Sequence, residues 1–533
     1  MNGCEAAMTN ERLAKACRTV RRACPALPVT AIRWMHLKHP FHHVQEALLR
    51  GDGRLERTQQ TPDVHAADLG RWAVKRGSRT VLVKRLGQSM VYALLLVWRL
   101  ARLRARLRRD AAALQRRRFD VILKTCCFGP DRPLGDQDFY FGDLQQRLAQ
   151  RRTQALLLCG DVRGGDWAAF ARAHLSTGEH ARLPELCLIH PLVPLRVLGQ
   201  QWRACLRLRR LAARITDPLV KRVSLLASED CLAPDTAWAS LAFWIGRQAV
   251  QRWRPRAFAT LYEGHAWELC ARWGAKTADP SCLTIGYQHT AVFRESLALL
   301  APAAEGKGVR TVPDVVLGLG QRPLDLMRPG HARHRTRLVR FGSFRFQPRP
   351  AAGPAPVARR TVLVTPEGIA SEMKILFTIA HACARRLPSY TFVLRCHPEV
   401  PMERALRLLD VELAREPNIV LSEGRRIEED FARASALLYR GSSAVMYAIL
   451  DGLLPIYVPV AGMRDRDPLF ALEAWRERGA APDEVAGILE RAAQSPAEQR
   501  RAAWTEAARY VQAYTGPVDQ EGIDAFLHEL GTR

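Results

Sequence analysis

The feature that most constrains the fold of this chain is an alternation of short apolar runs with helical segments, which occurs on both sides of a linker. The linker region, 347–356, is rich in Pro and Gly and cannot continue a helix or a strand. Apolar runs of strand length alternating with helices indicate parallel sheets, because parallel neighbours need a crossover connection. The sequence therefore predicts an α/β fold of two doubly wound domains.

The predicted strands are short runs rich in Val, Ile, Leu and aromatic residues. Those expected before the linker are 119–123, 153–159, 186–189, 257–262, 282–289 and 315–317. Those expected after it are 361–364, 391–395, 418–421, 436–439 and 454–458. The expected helices are 143–151, 197–250, 265–273 ending at Gly274, 369–387, 401–415, 427–434, 444–450 and 483–533.

This pattern divides the chain into five segments. They are a basic, partly helical N-terminal extension over 1–115, a first Rossmann-like domain over 116–346, the linker over 347–358, a second Rossmann-like domain over 359–480 and C-terminal helices over 481–533. The C-terminal helices are expected to fold back over the hinge. Doubly wound sheets bind ligands at the carboxyl ends of their strands, so the two domains are expected to face each other across a cleft.

The charge of the chain is unusual. It has 80 Lys and Arg against 53 Asp and Glu, a formal net charge of +27. A field of that sign attracts polyanions such as nucleic acid, anionic lipid or phosphorylated substrates. Arg far outnumbers Lys and Ala is abundant, a combination that a GC-rich genome also produces. Charge alone therefore does not choose among these partners.

The 13 cysteines are scattered and form no CxxC pair. This distribution argues against a disulfide scaffold or a structural zinc site and favours a reducing compartment. The longest apolar run, 90–98, is shorter than the roughly 20 residues that span a bilayer, and the first 21 residues mix charges. We therefore expect a cytoplasmic protein without a signal peptide.

A very basic helix is predicted over 99–109, with Leu at intervals of three to four residues. Such a helix can lie on an anionic membrane surface. It can equally be a solvated helix whose Leu edge packs on the next domain. Both interpretations stay open at the level of sequence.

In the second domain, Arg440, Gly441, Ser442 and Ser443 lie between a predicted strand and a predicted helix. The free N–H groups and the dipole of that helix favour an anion. Gly441 lets the backbone approach closely, the two Ser add hydroxyl donors and Arg440 adds charge. The segment is a candidate phosphate site, although a Ser here can also merely cap the helix.

Two further strand ends of the second domain carry polar residues. Arg395 and His397 end one strand, and His397 can donate to a phosphate or protonate a leaving group. Glu367 and Gly368 end another, where Glu367 can meet a ribose or sugar hydroxyl. Ordinary turn chemistry is the alternative for each. Neither a GxGxxG fingerprint nor a Walker A loop is present.

In the first domain, Glu263 and His265 follow one predicted strand and His289 follows the next. Glu263 can act as a general base on a hydroxyl, and His265 competes for that role. Glu268 is placed to cap the following helix. His289 can contact a substrate, and an ordinary turn is the alternative for each motif.

We predict no metal site and no cofactor. Asp161 and Asp166 flank a Gly-containing segment, but no DxD triplet stands at a predicted strand end. A leaving phosphate would then be stabilised by helix N–H groups, Arg and His.

Four short motifs occur in order, each at a predicted strand end: Glu263-Gly264, Gln288-His289, Arg395-x-His397-Pro398 and Ser442-Ser443. Their order resembles bacterial GT-B transferases of surface polymers, which include sialyltransferases and polysialyltransferases, capsule Kdo transferases and CDP-glycerol glycerophosphotransferases. The stretches 263–268 and 286–289 are most similar to the bacterial surface carbohydrate biosynthesis family. The resemblance covers 255–460, and it covers 119–255 by architecture only.

The resemblance implies a GT-B fold and transfer of a sugar from a nucleotide-activated donor. The donor would be a CMP-sugar such as sialic acid or Kdo, or a UDP or CDP donor, and the acceptor a surface polysaccharide or a lipid-linked glycan. His397, Ser442 and Ser443 would bind the donor phosphate, and Glu263 would be the catalytic base. Tyr262 stands where sialyltransferases carry a second acidic residue, which leaves the base assignment open to His265.

Three other functions are compatible with parts of the pattern. A nucleotide-sugar epimerase of the UDP-GlcNAc 2-epimerase type uses the same two-domain fold, with further cleft carboxylates. A nucleic-acid binding protein would explain the charge, but no zinc finger or RNP-like motif is present. An inactive assembly subunit is the third. The basic surface fits a peripheral enzyme on the inner leaflet, from which high salt would remove it.

Overall fold

The computed structural model describes residues 79–531 with short gaps. Nothing is described for 1–78, 128–136, 162–164, 218–220, 222–223, 226, 230, 295, 301–311, 347–350, 369, 398–399, 408, 410–411, 414–415, 461–464 and 532–533. Most of the predicted N-terminal extension, the first part of the Pro-rich linker and Pro398 therefore lie outside the described residues.

The first domain is built on a sheet of seven parallel strands. The strands are β1 Val121–Cys127, β2 Ala155–Asp161, β3 Arg182–Pro184, β4 Ala257–Leu261, β5 Leu283–Tyr287, β6 Val315–Gly318 and β7 Arg337–Arg340. The helices are α1 Arg79–Gln115, α2 Leu144–Gln150, α3 Trp167–His174, α4 Val193–Arg214, α5 Pro234–Trp253, α6 Ala266–Ala278, α7 Leu297–Leu300 and α8 Gln321–His331.

The second domain is built on a sheet of six parallel strands. The strands are β8 Thr361–Pro366, β9 Thr391–Leu394, β10 Ile419–Leu421, β11 Ala436–Arg440, β12 Leu454–Tyr457 and β13 Glu477–Arg478. The helices are α9 Ala370–Arg386, α10 Met402–Leu406, α11 Ile427–Arg433, α12 Ala444–Leu450, α13 Pro482–Gln494, α14 Ala497–Tyr514 and α15 Gln520–Gly531.

Both sheets have the doubly wound strand order. The first runs β3-β2-β1-β4-β5-β6-β7 and the second runs β10-β9-β8-β11-β12-β13. The winding direction therefore reverses between β1 and β4 and again between β8 and β11, and a crevice opens at the carboxyl ends of the strands at each reversal. The predicted fold class, α/β with two doubly wound parallel sheets, is confirmed.

Several local predictions were wrong. The helix predicted over 197–250 is interrupted and forms α4 and α5, and α10 covers only Met402–Leu406 of the helix predicted over 401–415. The segment 186–189, predicted as a strand, belongs to a 3-10 helix over Glu185–Leu188, and the strand is β3 just before it. Helix α6 continues past Gly274 to Ala278. Gly274 does not end the helix; together with Gly246 it allows the backbones of α5 and α6 to pack in direct contact. The strands β7 and β13 were not predicted, since both are short and lack a buried apolar run.

Helix α1 is continuous over 37 residues and contains the predicted basic helix. The leucines on one edge lie in the core of the first domain: Leu96, Leu100, Leu103, Leu107 and Leu114. The packing interpretation of this helix is therefore confirmed for its Leu edge. None of the helices in the described part of the chain combines the length and apolar character that crossing a bilayer requires.

The C-terminal helices contact both domains. Helix α14 lies in the core of the second domain through Trp504 and Val511. The chain then returns to the first domain, where Ser343 N donates to Gly516 O at 2.8 Å. Helix α15 is held there by an ion pair of 2.6 Å between Arg337 and Glu529.

Candidate active site

The loops after β8 and β11 meet at the reversal point of the second sheet. Gly441 has φ +72°, and a Cβ at this position would lie 2.5 Å from Oε2 of Glu367. Only a glycine tolerates both that backbone conformation and that approach. The structure therefore brings together Glu367 and Gly441, which lie 74 positions apart in the sequence.

The loops after β8 and β9 also meet. A Cβ at Gly368 would lie 2.9 Å from Nδ1 of His397, so the imidazole rests against the backbone of Gly368. His397 is half-buried at this position. The three strand-end segments predicted for the second domain thus converge at one edge of its sheet.

The two serines stand at the start of α12. Ser443 is exposed and occupies the N-cap position, but its side chain makes no capping hydrogen bond. Ser442 is half-buried, and its Oγ accepts a hydrogen bond of 3.3 Å from Ala444 N. Neither serine therefore makes an N-cap hydrogen bond: Ser442 satisfies the first N–H of the helix from the preceding turn, and Ser443 is exposed.

The guanidinium groups of Arg440 and Arg395 form ion pairs inside the second domain and do not point to an open phosphate site. Arg440 is 1% exposed, and its Nε lies 2.6 Å from Oε2 of Glu372. Arg395 NH1 lies 2.7 Å from Oδ2 of Asp430 and 3.1 Å from Ser422 Oγ. Both side chains are held within the domain, so neither supplies the cleft with the open positive charge that the sequence suggested.

Arg466, which follows β12, was not among the predicted site residues. Its NH1 lies 3.1 Å from Oε2 of Glu367 and 3.7 Å from Oε1 of Glu372. Burial raises the pKa of Glu372, and the charges of Arg440 and Arg466 oppose that rise. Ligands bind at the carboxyl ends of parallel strands, so the residues after β12 could have been included among the candidates from the sequence.

In the first domain, Glu263 stands between two histidines. Its Oε1 lies 2.6 Å from Nε2 of His289, and its Oε2 lies 3.6 Å from Nε2 of His265. The His289 side chain is 1% exposed, whereas that of His265 is 44% exposed. His289 is therefore placed to orient the carboxylate, while His265 is open to a ligand.

A buried carboxylate fixes the loop that carries Glu263. The side chain of Glu268 accepts hydrogen bonds from the backbone N–H groups of Glu263, Gly264 and His265, at 2.9 to 3.2 Å. Gly264 has φ +97°, which allows the tight turn. Burial raises the pKa of Glu268. The capping role predicted for Glu268 is confirmed.

The segment formed by the end of β5 and the residues after it, including His289, is held by packing and hydrogen bonds. A Cβ at Gly286 would lie 2.9 Å from the ring of Tyr262, so β5 approaches β4 closely there. Gln288 Oε1 accepts from Leu319 N at 3.1 Å. The ring of Tyr140 meets that of His289 edge-on, with centroids 4.5 Å apart. Burial, and then the charge of Glu263, raises the pKa of Tyr140.

A second buried charge lies in the first sheet and was not predicted. Lys124 Nζ lies 2.5 Å from Oε2 of Glu185, and both side chains are 3% exposed. The ammonium also lies 4.0 Å from the ring centroid of Trp267 on α6. Since a lone buried lysine would be very costly, this pair and the ring contact account for its presence in β1.

Among the side chains that the structure describes, Cys127, Cys159 and His174 form a group whose ligand atoms lie within 4.8 Å of one another. All three are buried. The alternation of β1 places Cys127 on the face opposite Lys124. The group offers three of the four ligands that a structural zinc site uses.

The carboxyl edges of the two sheets are joined by loop contacts. The guanidinium of Arg294, which follows β5, lies 5.6 Å from the ring centroid of Phe470, which follows β12. Tyr514 OH of α14 accepts from Val292 N at 2.7 Å. A cavity of about 280 Å³ lies at the other edge of the second sheet, against Ala436 and Leu454 at the amino ends of β11 and β12, and includes none of the site residues.

No family model matches the chain, and no curated protein matches it significantly. Several solved structures have a similar backbone fold. The glycotransferase of kitacinnamycin has 15% identity and a TM-score of 0.44, and the match covers 78% of this chain and 99% of that one. The calicheamicin glycosyltransferase has 14% identity, a TM-score of 0.43 and coverage of 78% and 99%.

A third similar structure is the UDP-forming trehalose-phosphate synthase of Burkholderia vietnamiensis, with 12% identity, a TM-score of 0.43 and coverage of 78% and 100%. The UDP-GlcNAc 2-epimerase of Neisseria meningitidis has 8% identity, a TM-score of 0.43 and coverage of 78% and 100%. Likenesses at this level carry no argument about what this chain does.

Proposed function

We propose that this protein is a glycosyltransferase that moves a sugar from a nucleotide-activated donor to a bacterial surface polysaccharide or a lipid-linked acceptor. One arrangement carries the proposal. The strand-end loops of Glu367, His397 and Gly441 converge in the second domain, and Glu263 with its histidines stands at the carboxyl edge of the first sheet. The loop contact between Arg294 and Phe470 joins those two edges.

In the proposed reaction Glu263 takes the proton of an acceptor hydroxyl, whose oxygen attacks the anomeric carbon of the donor sugar. The new C–O bond forms while the bond from the anomeric carbon to the phosphate oxygen breaks, and its electron pair leaves with the nucleotide. His289 holds Glu263 in place during the proton transfer. His265 is the alternative base, because it is the more exposed of the two histidines.

The departing negative charge needs preorganised donors. We assign this role to His397, to the hydroxyls of Ser442 and Ser443 and to the N–H groups of their loop, without a metal ion or a cofactor. Glu367 would meet a sugar or ribose hydroxyl, with Arg466 holding its carboxylate. Arg395 and Arg440 support the loops through Asp430 and Glu372 instead of binding the phosphate.

The donor follows from the resemblance in the motifs: a CMP-sugar such as sialic acid or Kdo, or a UDP or CDP donor. The proposal places the enzyme on the cytoplasmic side of the inner membrane, attached peripherally, where lipid-linked acceptors are found. Nucleic acid is not its partner in this scheme, because the site residues lie at the sheet edges where small ligands bind.

A thermal-shift panel of CMP, CDP, UDP and GDP tests the donor site. A nucleotide that binds only the folded protein stabilises it by about 2.7 kcal/mol at a concentration of about 100 Kd. We expect one nucleotide to raise the melting temperature of the wild type and to lose this effect in His397→Ala. His528→Ala, which truncates an exposed histidine of α15, is the matched control and should keep the shift.

Absence of any shift in a folded wild type would contradict the proposal and favour an inactive subunit or a nucleic-acid binding protein. The nucleotide that binds then selects the donor sugar for an activity assay. A transferase releases nucleotide only when the acceptor is present. Isomerisation of the donor sugar without an acceptor would assign the site to an epimerase instead.

A further inference from the structure

The outer face of α1 is apolar along its N-terminal half and yet is exposed. The apolar side chains on this face are Val83, Met90, Val91, Leu94, Leu95 and Trp98. Val91 and Trp98 are 64% and 53% exposed, although the opposite face of the same helix is buried in the domain core. A helix with apolar side chains on two opposite faces normally has both faces buried against protein or lipid.

The neighbouring helix α4 extends this surface. The two helices are in contact, since Trp202 Nε1 on α4 donates to Ser89 Oγ on α1 at 3.0 Å. The exposed side chains of α4 are apolar or basic: Leu195, Arg196, Arg203, Leu206, Arg207, Arg210, Ala213 and Arg214. We call the exposed side chains of α1 and α4 together the α1–α4 surface.

The charge of the α1–α4 surface is almost purely positive. The exposed charged side chains that are described on these helices are all cationic: Lys84, Arg102, Arg104 and Arg106 on α1, and Arg196, Arg203, Arg207, Arg210 and Arg214 on α4. Arg104 of α1 also lies near Arg252 of the neighbouring helix α5, since burial and then the charge of Arg104 lower the pKa of Arg252. Arg102 sits 4.6 Å from the ring centroid of Trp98, at the border between the apolar and basic parts.

We propose that the α1–α4 surface docks this protein on an anionic lipid bilayer. Val91, Leu94 and Trp98 insert among the headgroups, and the arginines of both helices lie on the lipid phosphates. A lipid surface is the partner that offers apolar and anionic groups together. Trp favours such an interface because its ring is apolar and its N–H is polar.

Other occupants fit less well. A second copy of the chain would place one basic surface against another, and like charges repel. The segment 1–78 carries 13 Lys and Arg against 7 Asp and Glu, so it is not complementary to this surface either. Nucleic acid would meet the arginines but would leave Val91 and Leu94 without apolar contacts. The inference does not depend on the sugar or nucleotide that the site uses.

Vesicle co-sedimentation of the full-length chain tests the proposal. We expect the wild type to pellet with phosphatidylcholine vesicles that contain phosphatidylglycerol, and to stay in solution with phosphatidylcholine alone. Salt at about 1 M, where charges are screened beyond about 3 Å, should release it. Leu94→Ser with Trp98→Ser should weaken binding about tenfold or more, because two large side chains lose their apolar environment.

Matched variants separate this effect from general changes. Val420→Ser removes an exposed apolar side chain of the second domain and should bind like the wild type. Arg203→Glu with Arg207→Glu should abolish binding to anionic vesicles, whereas Arg501→Glu with Arg509→Glu on α14 should reduce it far less. The variants change exposed side chains, and their melting temperatures check that each one folds.

Three results would overturn the proposal. One is a wild type that stays in the supernatant with anionic vesicles at low salt. Another is equal binding by the Leu94→Ser, Trp98→Ser variant and by Val420→Ser. The third is a wild type that is a dimer and does not bind vesicles, together with a monomeric Leu94→Ser, Trp98→Ser variant. That result would assign the surface to a second copy of the chain.

Discussion

Oε1 of Glu263 lies 2.6 Å from Nε2 of His289, and the two residues follow neighbouring parallel strands, β4 and β5. The carboxyl ends of these strands meet at one sheet edge, so the pair is a direct product of the doubly wound order. His289 is nearly inaccessible, which makes it a support for the carboxylate. Mutation should therefore distinguish Glu263 from His265 as the catalytic base.

We expect Glu263→Gln to lower kcat by about 100-fold to 10,000-fold, the usual contribution of a general base. The nucleotide-induced thermal shift should persist, since Glu263 lies in the other domain. His265→Gln should change kcat little. Glu423→Gln, at an exposed strand end, is the matched control. The reverse pattern, with His265→Gln inactive and Glu263→Gln active, would make His265 the base.

Glu268→Ala should destabilise the first domain and loosen the loop that carries Glu263. The truncation removes Oε2, which accepts from the N–H groups of Glu263, Gly264 and His265. A buried donor without its acceptor costs about 1–3 kcal/mol. Chemical unfolding measures the loss, and kcat should fall with it.

Glu484→Ala is the control for this change, because Glu484 also accepts a backbone N–H but is exposed. Its effect should stay below about 1 kcal/mol. Equal losses in the two variants would show that burial of Glu268 contributes nothing to the loop.

Gly441→Ala should remove the nucleotide-induced thermal shift. The new Cβ would lie 2.5 Å from Oε2 of Glu367, so the carboxylate or the loop must move. Gly424→Ala is a close control, because Gly424 has a similar φ of +68° but open space around it. Both variants suffer backbone strain of about 1–2 kcal/mol, and only Gly441→Ala should lose the shift. A shift retained in both would separate the Gly441 loop from nucleotide binding.

His331 should make the stability of the first domain sensitive to acid. Burial lowers the pKa of His331 to about 4, and its Nε2 lies 3.0 Å from Leu299 O and 3.4 Å from Tyr262 OH. The unfolded chain binds a proton near pH 6.5, while the folded protein does not. The neutral His331 therefore contributes its full share to the free energy of unfolding above pH 6.5. This share, about 3 kcal/mol in total, is lost as the pH falls towards 4.

Melting temperatures measured between pH of about 7 and about 4 test this loss of stability. Each unit by which the pKa of His331 is lowered corresponds to about 1.4 kcal/mol. His331→Gln should flatten the curve relative to the wild type. His528→Gln, an exposed histidine, should leave the slope unchanged. A wild-type curve that coincides with that of His331→Gln would show that the buried imidazole is not the acid-sensitive group.

The sequence by itself determined the features that are local or periodic. The strands β8 to β12 were predicted within about two residues because each is a short, mostly apolar run, and α12 was predicted with its observed bounds. The Gly368, His397 and Gly441 segments were predicted to share an edge, since parallel strands end there together. The capping role of Glu268 follows from its spacing alone.

Only the tertiary structure decided which side chains are paired and which are open. Arg440 looks like a phosphate ligand in the sequence, but Glu372, 68 positions earlier, neutralises it in the core. Arg466 reaches Glu367 across 99 positions. The exposure of Trp98 depends likewise on how α1 packs on the domain. Burial and ion pairing arise from contacts between distant segments, which neither composition nor periodicity encodes.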